Sequence, residues 1–383
     1  MSIERAAIDL VVGTRPNIVK AAPLLHVLAR AEWCRPRLVF LAQHTQDAMT
    51  TQTFEDLAVV GDKIVRVDIH STTAGMRFGE MIEGYSQLVQ SSRPSLTVVF
   101  GDVDATFAAT YAAKREHVPV AHVEAGLRSG DMRMPEEINR RLVDGVCDLY
   151  FTTMESGTRN LLSEGVRGGD IHFCGNLMID AMMDVLEREP ELELRRLLNG
   201  FGLAAQDYAV ATFHRPSNVD SIEHLQRMID VLAVASSHIP VVFPVHPRSA
   251  AALERHGLQV GTGRIHAVPP MRYRDFMALL SRCRLALTDS GGLQEETSAL
   301  GIPCLTFREN TERPETITLG TNRLVAPEEA DAEIRKALAA PKPTRRAIPG
   351  WDGCAAPRIA AVIKSWLVAN SLVLERAGHV DQV

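Results

Sequence analysis

A chain of 383 residues is too long for one ordinary core and suits two α/β domains. Hydrophobic residues at 46% and charged residues at 23% fit a globular protein, and a net charge of −6 argues against a nucleic-acid partner, which would need a basic face. No apolar run approaches the roughly 20 residues of a membrane span, and the charges between Met1 and Leu10 interrupt any signal-peptide core.

The expectation is therefore a cytoplasmic protein with no membrane contact. Short apolar runs then alternate with helix-like stretches. The spacing predicts strands at Ile8–Val12, Leu38–Leu41, Leu96–Phe100, Val118–Val123, Leu149–Thr152 and Ile171–Phe173. A second series follows at Tyr208–Phe213, Val241–Val245, Arg264–Val268, Leu285–Thr288 and Cys304–Thr306. Rich in Val and Leu and without alternation, such runs read as buried parallel strands joined by crossover helices.

Between the series stand Gly175-Asn176 and a charged helical stretch, Asp184–Leu198, which place a domain junction near residue 175. One domain then covers 1–174 and the other 175–356. A break at Pro341, Pro343 and Pro349 precedes a helical run, Ile359–Leu372, and residues 357–383 are expected to pack back on the first domain. The cysteines Cys34, Cys147, Cys174, Cys283, Cys304 and Cys354 form no C-x-x-C pair and read as buried reduced thiols.

In open parallel sheets ligands collect at the carboxyl ends of the strands, so the residues just past each strand matter most. Gly13-Thr14-Arg15-Pro16-Asn17 leads into a helix over Ile18–Arg30, where backbone amides and Arg15 could meet a phosphate or merely shape a turn. It is neither a P-loop nor a G-x-G-x-x-G fingerprint. Gly101-Asp102-Val103-Asp104 follows the third strand; its acids are acid/base candidates or N-caps for a helix over Ala105–Lys114. The D-x-D spelling also suggests a metal-binding glycosyltransferase.

His122-Val123-Glu124-Ala125-Gly126-Leu127-Arg128 ends another strand, and Pro135-Glu136-Glu137-Ile138-Asn139-Arg140 opens a helix. Pro135 suits a first turn and puts Glu136 at the positive dipole end. Glu137 and Arg141, four apart, read as a helix-surface pair. Asp102, Glu124 and Glu136 together look like a proton-transfer set.

In the second half, Phe213-His214-Arg215-Pro216-Ser217-Asn218 and Pro244-Val245-His246-Pro247-Arg248 are two strand endings carrying His and Arg, which favours an anionic ligand. Thr288-Asp289-Ser290-Gly291-Gly292 opens a helix whose glycines let amides close on a diphosphate, with Glu296 a turn further as an acceptor for ribose hydroxyls. The dense charges of Arg308-Glu309-Asn310-Thr311-Glu312-Arg313-Pro314-Glu315 are not what a solvated surface after a buried strand would need.

These segments, taken in order, resemble the non-hydrolysing UDP-N-acetylglucosamine 2-epimerases. The matching stretches are Gly13–Lys20, Gly101–Asp102, His122–Arg128, Pro135–Arg140, His214–Asn218, Pro244–His246, Asp289–Glu296 and Thr311–Pro314. The resemblance implies an α/β fold of two Rossmann-like domains of parallel sheets with a cleft between them, as in GT-B glycosyltransferases. It implies reversible C2 epimerisation of a UDP-2-acetamido sugar with no cofactor and no metal, and a homodimer.

By motif, Asp102, Glu124, Glu136 and His214 would be catalytic. Arg15, Lys20, His44, Arg140, Asn218, His246, Phe276, Ser290, Gly291, Gly292, Glu296 and Arg313 would bind the UDP-sugar, with Phe276 near the uracil. The expected chemistry is elimination of UDP to a glycal-like intermediate, because the C2 hydrogen has no neighbouring carbonyl to acidify it. The alternatives are a hydrolysing 2-epimerase that releases free N-acetylmannosamine and UDP, and a GT-B glycosyltransferase; a UDP-sugar sensor would lack catalysis altogether.

The chain departs from the family pattern at Leu41-Ala42-Gln43-His44, at Asp104 and over His70–Arg77, so the identity of the sugar stays open. Some bacterial members carry a second, activating UDP-sugar on a Gln-His-x-Gln segment and an Arg-Gln pair. Here Gln43-His44-Thr45-Gln46 supplies the first, and no Arg-Gln pair lies between Arg66 and Arg77.

Overall fold

Buried parallel strands do form, in two sheets. The computed structural model describes residues 5–43, 47–59, 63–188, 190–203, 207–261, 263–341 and 348–380. The chain divides into two compact units, Met1–Ala181 with Pro349–Val383, and Met182–Ile348.

In the first unit the strands are β1 (Ala6–Val12), β2 (Cys34–Gln43), β3 (Ile64–Ile69), β4 (Leu96–Phe100), β5 (Val120–Val123), β6 (Leu149–Thr152) and β7 (Ile171–Phe173). All pair in parallel, in the order β3-β2-β1-β4-β5-β6-β7. The second unit holds β8 (Ala209–Thr212), β9 (Val241–Pro244), β10 (Ile265–Val268), β11 (Leu285–Thr288), β12 (Cys304–Thr306) and β13 (Asn322–Leu324). Their order is β10-β9-β8-β11-β12-β13, again parallel.

Two of these strands, β3 and β13, have no counterpart in the sequence reading. Both are sheet edges. An edge strand can face water along one side, so Ile-Val-Arg-Val-Asp-Ile can alternate charge with apolar residues and Asn-Arg-Leu can be short and polar.

The helices of the first unit are α1 (Arg15–Ala29), α2 (Asp47–Asp56), α3 (Ala74–Ser92), α4 (Asp104–Arg115), α5 (Pro135–Asp144) and α6 (Glu155–Ser163); α7 (Leu177–Glu187) crosses into the second. There follow α8 (Pro190–Phe201), α9 (Pro216–Val219), α10 (Ile222–His238), α11 (Pro247–His256), α12 (Tyr273–Arg282), α13 (Gly291–Leu300), α14 (Pro314–Thr318) and α15 (Ala330–Ala339). The last, α16 (Ala355–Val380), returns to the first unit and packs on α1. The single helix expected over Asp184–Leu198 is instead the end of α7 and most of α8, because Pro190 starts a new helix rather than continuing an old one.

The hydrophobic effect holds each sheet from both faces. Alanines 105, 108, 109, 112 and 113 of α4 are buried, so this helix presses close to the sheet. A Cβ on Gly13 would lie 2.2 Å from the Cβ of Ala105, so the first glycine after β1 is there for that approach. In the second unit Phe213, Phe243 and Phe307 are buried together, and Phe213 meets Phe307 edge-on with ring centroids 5.8 Å apart. These two anchor the segments that carry His214 and Arg308.

Asp180 accepts the N–H groups of Ala355 (3.1 Å) and Ala356 (2.8 Å), which fixes the start of α16. Five cysteines are buried free thiols, while Cys354 is exposed, against the expectation. Among the described residues no helix is long and apolar enough to cross a membrane.

Candidate active site

In each sheet the chain changes direction between two central neighbours, β1 and β4 in one and β8 and β11 in the other. Connections there leave toward opposite sides and open a crevice at the strand ends. The predicted side chains gather at these two places.

In the first unit Gly101, after β4, has φ +64, and Glu124, after β5, has φ +72. A non-glycine residue in the left-handed region costs about 1–3 kcal/mol and survives where its surroundings over-determine it. Here the N–H groups of Glu124 and Ala125 both donate to the Phe151 carbonyl, at 3.0 and 3.1 Å. The strained turn directs the buried Glu124 carboxylate onto Lys20 Nζ. A Cβ on Gly101 would lie 3.3 Å from Glu124 Oε2 and 3.4 Å from Lys20 Nζ, so that glycine serves both its backbone angle and the ion pair beside it.

Asp102 pairs with Arg140 of α5, and Arg140 also binds Glu137 Oε2 at 2.8 Å. Asn139 Nδ2 donates to the Asp102 carbonyl and to Asp104 Oδ1, each at 3.0 Å. The N-cap of α4 is Val103 and no side chain caps it, so neither Asp102 nor Asp104 is the N-cap. Glu136 stands half-buried in the first turn of α5 behind Pro135, and it makes no hydrogen bond or ion pair among the described residues.

Glu137 is not on the helix surface. It has no exposed area and accepts the N–H (2.8 Å) and Oγ (3.0 Å) of Ser129 as well as Arg140, besides the expected Arg141 (3.0 Å). Burial pushes its carboxyl up, but Ser129 and Arg140 outweigh that and hold it down at about 2. Lys20 and Arg140 thus join Asp102 and Glu124. Arg15 begins α1, half-buried, and His44 lies outside the described residues.

The second unit is organised by Asp289, which follows β11 and has no exposed surface. It accepts the backbone N–H groups of His214 (3.0 Å to Oδ2) and Arg215 (3.0 Å), and Asn218 Nδ2 (3.1 Å). His214 Nδ1 lies 3.2 Å from Asp289 Oδ1. Burial raises Asp289, yet the His214 contact and these N–H groups leave it below the ordinary carboxylate range. The His214 and His246 rings are 5.0 Å apart, and His246 Nδ1 accepts the Arg248 N–H at 3.1 Å to cap α11. The Arg248 side chain is taken by Asp220 (2.6 Å), so of the two His-Arg endings only the first keeps its Arg with the group around Asp289.

Ser290 is the N-cap of α13, with Gly291 and Gly292 in the first turn. Arg313 lies against this helix start: a Cβ on Gly291 would be 2.6 Å from its Nη1. Arg313 is ion-paired with Glu312 and with Glu295 (3.0 Å to Oε1). Glu312 also meets Arg308 at 2.8 Å and Arg215 at 3.6 Å. Burial would raise the Glu312 carboxyl, but Arg313, Arg308 and Arg215 hold it well below the usual range. Cations beside the positive end of a ten-residue helix make a receptor for an anion such as a diphosphate. Glu296 is buried and accepts Tyr273 Oη–H at 3.2 Å, and Phe276 is half-buried on the same helix as Tyr273.

The predicted site residues thus fall into two groups. Asp289, Arg215, Arg308, Glu312 and Glu295 hold the second group in place without having been singled out as binders. Their signal lay in three motifs, Phe213–Asn218, Asp289–Glu296 and Arg308–Glu315. Among the described residues no cluster of three His, Cys, Asp or Glu side chains could hold a metal ion.

The family model described as UDP-N-acetylglucosamine 2-epimerase matches residues 26–364. A UDP-N-acetylglucosamine 2-epimerase of Methanocaldococcus jannaschii is 34% identical over 325 residues, covering 83% of this chain and 88% of that protein. A UDP-2,3-diacetamido-2,3-dideoxy-D-glucuronate 2-epimerase of Pseudomonas aeruginosa is 35% identical over 319 residues, covering 82% and 87%. The crystal structure of Methanocaldococcus jannaschii UDP-GlcNAc 2-epimerase in complex with UDP-GlcNAc and UDP superposes with a TM-score of 0.86 at 32% identity, over 94% of this chain and 99% of that one.

Proposed function

Because this chain belongs to the UDP-N-acetylglucosamine 2-epimerase family, we propose that it inverts C2 of a UDP-2-acetamido sugar, taking UDP-N-acetylglucosamine to UDP-N-acetylmannosamine and back without hydrolysis. The observation that carries the reading is the set of three carboxylates in the first unit: Asp102 on Arg140, Glu124 on Lys20, and Glu136 without a partner among the described residues.

In the forward direction a carboxylate takes the C2 proton as the C1–O bond breaks, a C1=C2 bond forms, and UDP leaves. The return adds UDP to C1 and a proton to C2 from the opposite face. Two proton carriers on opposite faces are needed. Glu136 can gain and lose a proton without breaking an ion pair, and we assign it one of the two parts. Asp102 or Glu124 takes the other, each aimed by its cation. Arg313, His214 and the first-turn amides of α13 stabilise the departing diphosphate, with Ser290, Gly291 and Gly292 beside it in this reading, and Arg15 is assigned to substrate binding. Glu296, Asn218, His246 and Phe276 then hold the rest of the nucleotide. The reading includes a homodimer working in the cytoplasm, which light scattering and cell fractionation would test.

The test is turnover of UDP-N-acetylglucosamine in D2O with products resolved. Deuterium at C2 is expected, with activity unaffected by EDTA. Product that keeps its C2 hydrogen overturns the elimination, and accumulating free N-acetylmannosamine marks the hydrolysing reaction. Relatives 34% and 35% identical are named for different sugars, so the same assay is run with a UDP-diacetamido uronate as well.

A further inference from the structure

His122 sits on β5 with no exposed surface, and the chemistry above gives it no part. Its Nδ1 lies 2.7 Å from Asp144 Oδ1, and its Nε2 lies 2.8 Å from the carbonyl oxygen of Gly101. A carbonyl oxygen can only accept. Asp144 is also an acceptor here, since its other oxygen takes the Gly126 N–H at 3.0 Å and Arg128 Nη1 at 2.7 Å. A neutral imidazole has one N–H, so in either tautomer one of the two contacts would set lone pair against lone pair at hydrogen-bond distance.

From this geometry we propose that His122 is a buried imidazolium, protonated on both ring nitrogens, and that it is the positioning residue for Asp102. The Gly101 carbonyl belongs to the peptide unit that joins Gly101 to Asp102, so whatever fixes its plane fixes where Asp102 starts. The neighbouring carbonyls are pinned as well. Phe100 O accepts Asn17 Nδ2 (2.9 Å) and Thr106 Oγ1 (2.7 Å), and Asp102 O accepts Asn139 Nδ2. Three successive carbonyls are therefore held by α1, α4, β5 and α5, and the middle one, in a residue at φ +64, is held by a cation.

The surrounding charges make that cation tolerable. From α5 comes Asp144, from the segment after β5 Arg128, and from the end of α6 Glu164, which pairs with Arg128 at 2.5 Å. Tyr150 on β6 donates to the Asp144 carbonyl at 2.9 Å, and the Cys147 thiol, pushed well up by burial, stays neutral beside it. On the far side of Gly101 stand Glu124 and Lys20, already paired. Two cations face two carboxylates behind Gly101, so no charge is left buried alone, which would be costly.

The positioning half of the proposal rests on Asp102 handling protons in the reaction; the protonation half does not. The full chain, labelled with 15N-histidine, is examined by imidazole 15N–1H correlation at neutral pH, and His122 is assigned by the signals that vanish in His122→Asn. Two protonated nitrogens are expected; one protonated and one bare nitrogen overturns the proposal.

In the second arm, His122→Asn should lower kcat about 100-fold, as misplacing a reacting group by about 1 Å does, while UDP affinity is unchanged. Asp144→Asn keeps the shape and removes the charge, and it should lower kcat likewise. Asp144→Asn at the wild-type rate refutes the role of the cation. Should His122→Asn fail to fold, Asp144→Asn, by shifting the same imidazole signals, supplies both the assignment and the kinetic answer. If Asp102→Asn turns over normally while both nitrogens are protonated, the reading of Asp102 fails and the imidazolium stands.

Discussion

Gly291→Ala is the smallest change that reaches the proposed diphosphate receptor. The added Cβ would stand 2.6 Å from Arg313 Nη1, 3.1 Å from its Cζ and 3.0 Å from Glu312 Oε1. Unbonded heavy atoms settle at about 3.5–4.0 Å, so the guanidinium must retreat by about 1 Å. The backbone itself does not resist, because Gly291 opens α13 with no positive φ.

A guanidinium displaced this far loses its aim at an anion on the helix start. One charge-assisted hydrogen bond is worth about 1.5–3 kcal/mol. At 1.4 kcal/mol per tenfold, UDP should bind about 10- to 150-fold more weakly. Titration calorimetry with UDP measures this, and a thermal melt by circular dichroism checks that the fold is kept. The effect acts through Arg313, so Gly291→Ala should cost little more in an Arg313→Ala background. Wild-type UDP affinity, or an equal loss in both backgrounds, would refute the reasoning.

Other consequences follow from the same geometry. Asp102→Asn and Glu136→Gln should each lower turnover about 100- to 10,000-fold while leaving UDP affinity near wild type, and near-normal rates in both would sink the carboxylate assignment. His214→Ala should weaken UDP binding as well as turnover, measured by the same calorimetry. Glu137, at about 2 in the fold against an ordinary 4.5, adds stability that is complete above 4.5 and fades as pH falls toward 2. Glu137→Gln should flatten that acid limb in urea melts taken against pH; an unchanged limb contradicts the linkage. Between Arg66 and Arg77 the sequence holds no Arg-Gln pair, while Arg66 pairs with Asp68 and Arg77 donates to the Thr72 carbonyl. Forward kinetics should be hyperbolic, and a reverse reaction silent until UDP-N-acetylglucosamine is added would refute this.

Much of the molecule was legible in one dimension. A central strand buried on both faces must be apolar throughout, so Leu96–Phe100 and Leu285–Thr288 could be read to the residue. Glycines and charges just past such strands then pointed to Gly101-Asp102 and Ser290–Gly292. Two of the edge strands, Ile64–Ile69 and Asn322–Leu324, escaped for the opposite reason: half in water, they need no pattern that a loop could not also show, whereas the edges at Ile171–Phe173 and Ile265–Val268 were read as strands.

What only the tertiary structure decided is which charges meet. Helix spacing suggested Glu137 with Arg141, and that pair exists, but the fold buries Glu137 and adds Ser129 and Arg140 from both sides. His122 looked like one more residue of a strand until the fold brought Asp144, 22 positions later, to one nitrogen and Gly101 to the other. Arg313 was recognisable as a cation, but Glu295, Glu312 and the missing side chain of Gly291 determine where it lies. Periodicity records how one element faces water. Pairings between elements depend on distances that close only when the sheets assemble, and a buried charge is fixed by the partner found there.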